Sequence, residues 1–173
     1  YKRGTGGNKA LPAPEEEFGE GTSRMQIFTA GIDFTYPFTI GNQPFRFNTS
    51  WSGQWNGTPL TQQDKFSIGG RYTVRGFDGE LSLSGEKGWL WRNELGWDIA
   101  NKGHELYLGI DRGKVHSSQE ELQIGDSLMG GAVGLRGKLW GINYDYFVGV
   151  PIKKPEGFRT SHVTTGFNVS YRF

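Results

Sequence analysis

From Arg24 onward the chain alternates apolar and polar residues with a period of two, the spacing of a β-strand whose two faces meet different surroundings. Phe28, Ala30, Ile32, Phe34, Tyr36 and Phe38 oppose Thr29, Gly31, Asp33 and Thr35, and Gly41-Asn42 then predicts a tight turn. Phe45, Phe47, Thr49, Trp51 and Trp55 against Arg46, Asn48, Ser50, Ser52 and Gln54 predict a second strand. After Gly85 a third sets Trp89, Trp91, Leu95, Trp97 and Ile99 against Leu90, Arg92, Glu94, Gly96 and Asp98. Past Asn101-Lys102-Gly103 comes a fourth, with Leu106, Leu108 and Ile110 against Glu105, Tyr107, Gly109 and Asp111. In the fifth, Met129, Val133, Leu135 and Leu139 oppose Gly130, Ala132, Gly134, Arg136 and Lys138. The sixth follows a turn at Trp140-Gly141 and alternates Ile142, Tyr144, Tyr146, Val148 and Val150 with Asn143, Asp145, Phe147 and Gly149. The seventh is the cleanest: Val163, Thr165, Phe167, Val169, Tyr171 and Phe173 against His162, Thr164, Gly166, Asn168, Ser170 and Arg172. Seven strands and no convincing helix predict an all-β, antiparallel fold.

The connections alternate in length. Gly41-Asn42, Asn101 to Gly103 and Trp140-Gly141 are short, whereas Gly57 to Gly85, Lys114 to Asp126 and Pro151 to Ser161 are long. Transmembrane barrels of the outer membrane have this asymmetry, with short periplasmic turns and longer extracellular loops. A soluble sandwich has no reason to place a long loop at every second connection. Strands of about ten residues with aromatics near both ends suit a tilted crossing between interfacial girdles. The polar face carries Asp33, Arg46, Arg92, Glu94, Asp98, Glu105, Asp111, Arg136, Lys138, Asp145 and Arg172, which on a sandwich would face water and in a barrel would line a hydrated lumen and pair there. The expected fold is an antiparallel transmembrane β-barrel. Seven strands cannot close with both chain ends on the periplasmic side, so further strands are expected at the N-terminal end, making this about half a barrel. Residues 1–22, polar and rich in Gly and Pro with an acidic run at Glu15 to Glu17, are expected to form an extracellular loop segment, and residues 23–173 the barrel, with a loop at about 57–86.

Composition narrows this only in part. Length, at 173 residues, fits one domain, and a net charge of +1 gives no electrostatic case for nucleic acid. Mean hydropathy is −0.56 and no apolar run approaches the ~20 residues of a spanning helix, which leaves a barrel open because its lipid-facing and lumen-facing residues alternate. Twenty-eight glycines, 14% aromatics and no cysteine suit such a barrel. The chain starts at Tyr1, so any targeting segment is expected upstream.

Candidate chemistry concentrates at Phe66 to Gly79, FSIGGRYTVRGFDG, which is glycine-rich yet holds two arginines, an aspartate and three aromatics. Its glycines lack a following Gly-Lys-Ser/Thr, so it is no phosphate loop. His104, His116 and His162 have no ligand spacing, and no metal or other cofactor is expected. Ser84-Gly85 lacks the flanks of a nucleophile elbow, and nothing singles out a catalytic pair, so no enzyme is expected.

Two features carry a resemblance. The final strand steps through Phe167, Val169 and Tyr171 to a terminal Phe173 and resembles the sorting signal read by the barrel assembly machinery of the outer membrane. Val74-Arg75-Gly76-Phe77 resembles the core of the inward-folded loop of the outer-membrane insertase and secretion superfamily, and Gly109-Ile110-Asp111-Arg112-Gly113 resembles the Gly/Phe-x-Asp-x-Gly motif of a later strand in that superfamily. FSIGGRYTVRGFDGE, LSGEKGWLWRNELGW and KPEGF (Lys154 to Phe158) extend the likeness to the two-partner secretion transporters, most closely the haemolysin and growth-inhibition members, over about Phe18 to Phe173. The resemblance implies the C-terminal half of a sixteen-stranded barrel in the outer membrane of a Gram-negative bacterium. It would export one large unfolded partner exoprotein (a haemolysin, adhesin or growth-inhibition toxin) without ATP. Its other partners would be outer-membrane lipid, the assembly machinery, and the remaining strands and periplasmic domains. The alternatives are a barrel-protein insertase of the same superfamily and, further off, a passive porin.

The residues themselves point to an anchor within the loop. Gly69, Gly70, Gly76 and Gly79 would permit close approach and positive φ. The Arg75 guanidinium can pair bidentately with a carboxylate, and strand parity turns Asp111 to the polar face. An Arg75–Asp111 salt bridge is therefore expected, flanked by Gly109 and Gly113, with Arg92 and Glu94 extending the network on the same face.

Overall fold

The computed structural model describes residues 1–4, 17, 22, 24–99, 102–118 and 124–171. Each of the seven expected strands is present: β2 (Gln26–Ile40), β3 (Gln43–Asn56), β6 (Lys87–Asp98), β7 (His104–His116), β8 (Ser127–Leu139), β9 (Ile142–Lys153) and β10 (Thr164–Tyr171). A two-residue strand, β1 (Lys2–Arg3), adds to the outer edge of β2. The eight form one sheet in the order β1-β2-β3-β6-β7-β8-β9-β10, antiparallel throughout. It is a meander in which each long strand pairs with the next, and among the described residues it does not close on itself.

Turn chemistry fixes the register at one end of the sheet. Ile40 pairs with Gln43 across Gly41, whose φ is 60°, and Leu139 pairs with Ile142 across Trp140 and Gly141, whose φ values are 50° and 83°. These are two-residue hairpins of the primed kind, whose twist matches the strands they join. The opposite end carries the long connections between β3 and β6, β7 and β8, and β9 and β10.

Burial along β7 runs opposite to a soluble sheet. Leu106, Leu108 and Ile110 are exposed, the last two at 57% and 44%, while Tyr107, Gly109, Asp111 and Gly113 on the other face are buried. Phe28, Ile32, Phe34, Tyr36, Trp91, Leu95, Val133, Leu135, Tyr146 and Val150 continue the exposed apolar face across neighbouring strands. A contiguous apolar surface of this breadth marks a membrane or a partner, since water-soluble monomers rarely expose more than a few hundred Å². Phe34, Tyr36, Phe38, Phe45 and Trp97 form a stacked aromatic ladder toward the short turns, and Trp51 packs on Trp55 toward the long loops. From Phe45 to Trp55 the rise across a membrane is about 25 Å at ~3.4 Å per residue and ~40° tilt, the height of a barrel's apolar band. No helix of the described residues is long and apolar enough to cross a membrane.

The buried apolar core is small and lies beneath residues 57–86, which cross the polar face of β6–β8. It comprises Ile68, Val74, Phe77, Leu83, Val115, Leu128 and Phe158. Within this segment are one 3-10 turn, Gln62–Asp64, and a hairpin of β4 (Phe66–Ile68) with β5 (Leu83–Gly85). The sequence predicts no strand there, because three residues are too few to show a period.

Candidate functional site

The tip of the 57–86 segment turns on Gly76. Its φ of 102° belongs to the region glycine alone enters freely, and a Cβ there would collide with the backbone of Val150. Facing it, Gly130 and Gly149 lack the side chains that would hold the tip away, and beside it the register shifts between Met129 and Gly130, leaving Ile152 of β9 as an extra residue opposite β8. Gly70 departs from expectation: its φ is not positive and a Cβ would meet nothing within 4 Å. What Gly70 supplies is backbone, its N–H donating to Thr73 Oγ1 at 3.1 Å and its carbonyl accepting from Thr73 N at 2.9 Å.

With the tip seated, Arg75 is 5% exposed and Asp111 not at all. Arg75 Nε donates to Asp111 Oδ2 at 2.7 Å and Nη2 to Oδ1 at 2.7 Å, a two-pronged pair, and the Arg75 backbone N–H adds a third bond to Oδ2 at 3.0 Å. Nη1 donates to Glu94 Oε2 at 2.6 Å and Nη2 to the Asn93 carbonyl at 3.2 Å. The structure thus brings Arg75, Asp111 and Glu94 together. Gly109 makes room for the group, since its Cβ would sit 2.5 Å from Arg75 Cζ, and Gly113 passes beneath Ile68 and Val74. Arg92 joins at the edge of this set: its Nε forms a longer ion pair with Asp111 Oδ2 at 3.6 Å and, though buried, makes no hydrogen bond.

Glu94 continues the network across the sheet. Its Oε1 accepts from Arg136 Nη2 at 2.6 Å, Arg136 also pairs with Glu105, and Glu105 accepts from Arg46 Nη2 at 2.8 Å. Alternating charges from β3, β6, β7 and β8 therefore form one chain leading from the loop tip toward the short turns. Tyr107 lies under it, with Arg136 Cζ 4.8 Å from its ring centroid and its hydroxyl donating to Asp145 at 2.8 Å. Sequence parity places Arg46, Glu105 and Arg136 on this face but gives no sign that they join Arg75.

Two further contacts hold the tip. Val74 and Phe77 are fully buried, and Phe158 of the β9–β10 connection meets Phe77 edge-on at 5.8 Å. The KPEGF motif thus touches the VRGF motif, with Lys154 Nζ capping the Phe158 carbonyl at 2.7 Å. Asp78 accepts from the Ser161 backbone N–H at 2.6 Å and from the Glu80 N–H at 3.0 Å. The Ser161 bond, aided by the Glu80 and Thr160 contacts, lowers the Asp78 carboxyl to about 2.

Of the sorting-signal residues, Phe167, Val169 and Tyr171 are exposed on the apolar face, and Phe173 lies outside the described residues. Among the described residues, no group of three or more His, Asp or Glu is placed to hold a metal.

Comparison with known proteins gives these contacts a context. Residues 1–137 match the family model for haemolysin secretion/activation protein ShlB/FhaC/HecB. The chain is 38% identical to outer membrane transporter CdiB-2 of Burkholderia pseudomallei, an alignment covering 100% of this chain and 30% of that protein. It superposes on the solved structure of CdiB from Acinetobacter baumannii with a TM-score of 0.78 and 32% identity, over 84% of this chain and 27% of the other. CdiB from Escherichia coli gives a TM-score of 0.79 at 24% identity, over 92% and 30%, and so bears on the fold. The chain thus spans about a third of the length of the relatives it matches.

Proposed function

The chain belongs to the haemolysin secretion/activation protein family, that of two-partner secretion transporters, and is an outer-membrane β-barrel segment; from this we propose that it forms part of a pore exporting one unfolded exoprotein. The observation that carries the proposal is the buried pair of Arg75 with Asp111, which ties a long loop to the polar face of a sheet whose other face is apolar. The loop, about 57–86, is a latch inside the lumen. Val74 and Phe77 seat it, Gly76 lets it turn, and Asp111 between Gly109 and Gly113 receives it. Glu94 distributes the charge of Arg75 to Arg136.

A lumen lined with paired charges suits a sliding extended chain, which needs many weak contacts and no deep site. Export proceeds without ATP, drawn forward by folding of the exoprotein outside. The cargo is an exoprotein of the haemolysin, adhesin or growth-inhibition type, and the final strand, Phe167 to Phe173, is read by the barrel assembly machinery. Co-expressing the full-length transporter with a candidate exoprotein and measuring that exoprotein in the medium tests this. Transporter-dependent appearance of the exoprotein is expected. Accumulation of newly inserted barrel proteins instead, with no exoprotein outside, would contradict it and favour an insertase.

A further inference from the structure

The outward face carries cations at one end only. Among the described residues, every Lys or Arg that strand parity turns outward (Arg3, Lys87, Arg112, Lys114 and Lys153) lies toward the long loops. Toward the short turns the same face presents Phe38, Phe45, Trp97, Leu106 and Ile142. Pairing registers align Trp51, Trp91, Arg112, Met129 and Lys153 in one cross-strand row. The next row outward holds Trp89 and Lys114, and Lys87 follows on β6. Directly below lie Ile110, Leu108 and Val133, all exposed and apolar.

The arrangement is amphiphilic in depth. Arg112 Cζ stands 6.0 Å from the Trp89 ring centroid, which holds the guanidinium at the level of the indoles. Lys114 is answered by Asp126 at 2.9 Å, but Lys87, Arg112 and Lys153 are exposed and form no ion pair among the described residues. Unpaired cations above an aromatic girdle, with an apolar surface beneath, complement a lipid that has anionic phosphates on its head and several acyl chains. Lipid of the inward-facing leaflet would meet no such cations, because the short-turn end of this face has none on its described strands.

We propose that Arg112 and Lys153, supported by Lys87 and Lys114, form a binding site for the phosphate groups of the phosphorylated glycolipid of the outer leaflet, whose acyl chains lie over Ile110, Leu108 and Val133. The proposal rests on the barrel lying in the outer membrane with its long loops outward. It is independent of what the pore exports.

Native mass spectrometry of the detergent-solubilised full-length protein, titrated with bisphosphorylated lipid A, with dephosphorylated lipid A and with phosphatidylethanolamine, tests it. The protein is expected to prefer the bisphosphorylated form. Arg112→Gln with Lys153→Gln should weaken that binding about thirtyfold, as loss of two cations near an anionic headgroup implies. Arg112→Lys with Lys153→Arg should keep it, and Lys102→Gln at the short-turn end should leave it unchanged. Equal binding of phosphorylated and dephosphorylated lipid, undiminished binding by the double Gln variant, or an equal loss with Lys102→Gln would overturn the proposal. Retained heat-modifiable migration shows that each variant is a folded barrel. If the double variant fails that check, Lys153→Gln alone makes the same comparison, because Lys153 is exposed at the end of its strand. Secretion measured on the same variants separates the two claims, since loss of lipid preference with secretion intact bears on this site and not on export.

Discussion

Arg75 donates to acceptors on two strands, and each can be removed separately. Arg75→Lys keeps the charge but cannot serve Asp111 with two prongs while also reaching Glu94, so the loop should open more readily. Gly109→Ala removes no charge and places a methyl in the guanidinium's position. It should therefore release the loop nearly as well as Asp111→Asn does, detectable as faster protease cleavage within 57–86. Glu94→Gln removes the carboxylate shared by Arg75 and Arg136, whereas Arg92→Gln removes a cation that makes no hydrogen bond through Nε. The first should speed cleavage and the second, which loses only the 3.6 Å ion pair to Asp111, should speed it far less. Asp111 was legible as a partner because β-strand parity is strict and a carboxylate on the covered face needs a cation. Arg136, Glu105 and Arg46 were not, because parity assigns a face, while which charges meet across four strands depends on registers set by turns far from them.

At the scale of elements, the loop is clamped between its own hairpin and the β9–β10 connection. Phe158→Ala empties a buried contact on Phe77 and should cost about 3–5 kcal/mol of the local stability of the tip. Hydrogen exchange at Val74 to Phe77 should rise while β7 stays protected. The Asp78 tether predicts a pH dependence. Its carboxyl is lowered from 3.8 to about 2 in the folded chain, so its contribution is complete above 3.8 and is lost as pH falls through about 2. Exchange at the Ser161 amide, after correction for its intrinsic rate, should therefore rise between pH 4 and pH 2, and Asp78→Asn should abolish that rise. KPEGF was visible in the sequence as a motif, but its contact with VRGF was not, since the two lie some eighty residues apart with no alternation to orient either. The β4–β5 hairpin escaped for a simpler reason: β4 spans Phe66–Ile68 and β5 Leu83–Gly85, each shorter than two periods of alternation.

Across the whole molecule, the seven long strands were legible because a membrane sheet needs both faces specified, lipid on one and a hydrated surface on the other, so nearly every residue carries the signal. The same pattern fits a soluble sandwich until burial is known. Leu108 exposed beside Asp111 buried decides between them. In the proposed export role the loop tip, tied by Arg75 to Asp111, governs passage of the exoprotein. Secretion by Arg75→Ala, Asp111→Ala and the double variant, each at matched outer-membrane levels, tests it most directly. Each single change is expected to lower secretion about tenfold or more, and the double to be no worse than the more impaired single, as for two residues acting through one contact. Secretion at the unsubstituted level from both single variants would mean that the Arg75–Asp111 tie does not govern export.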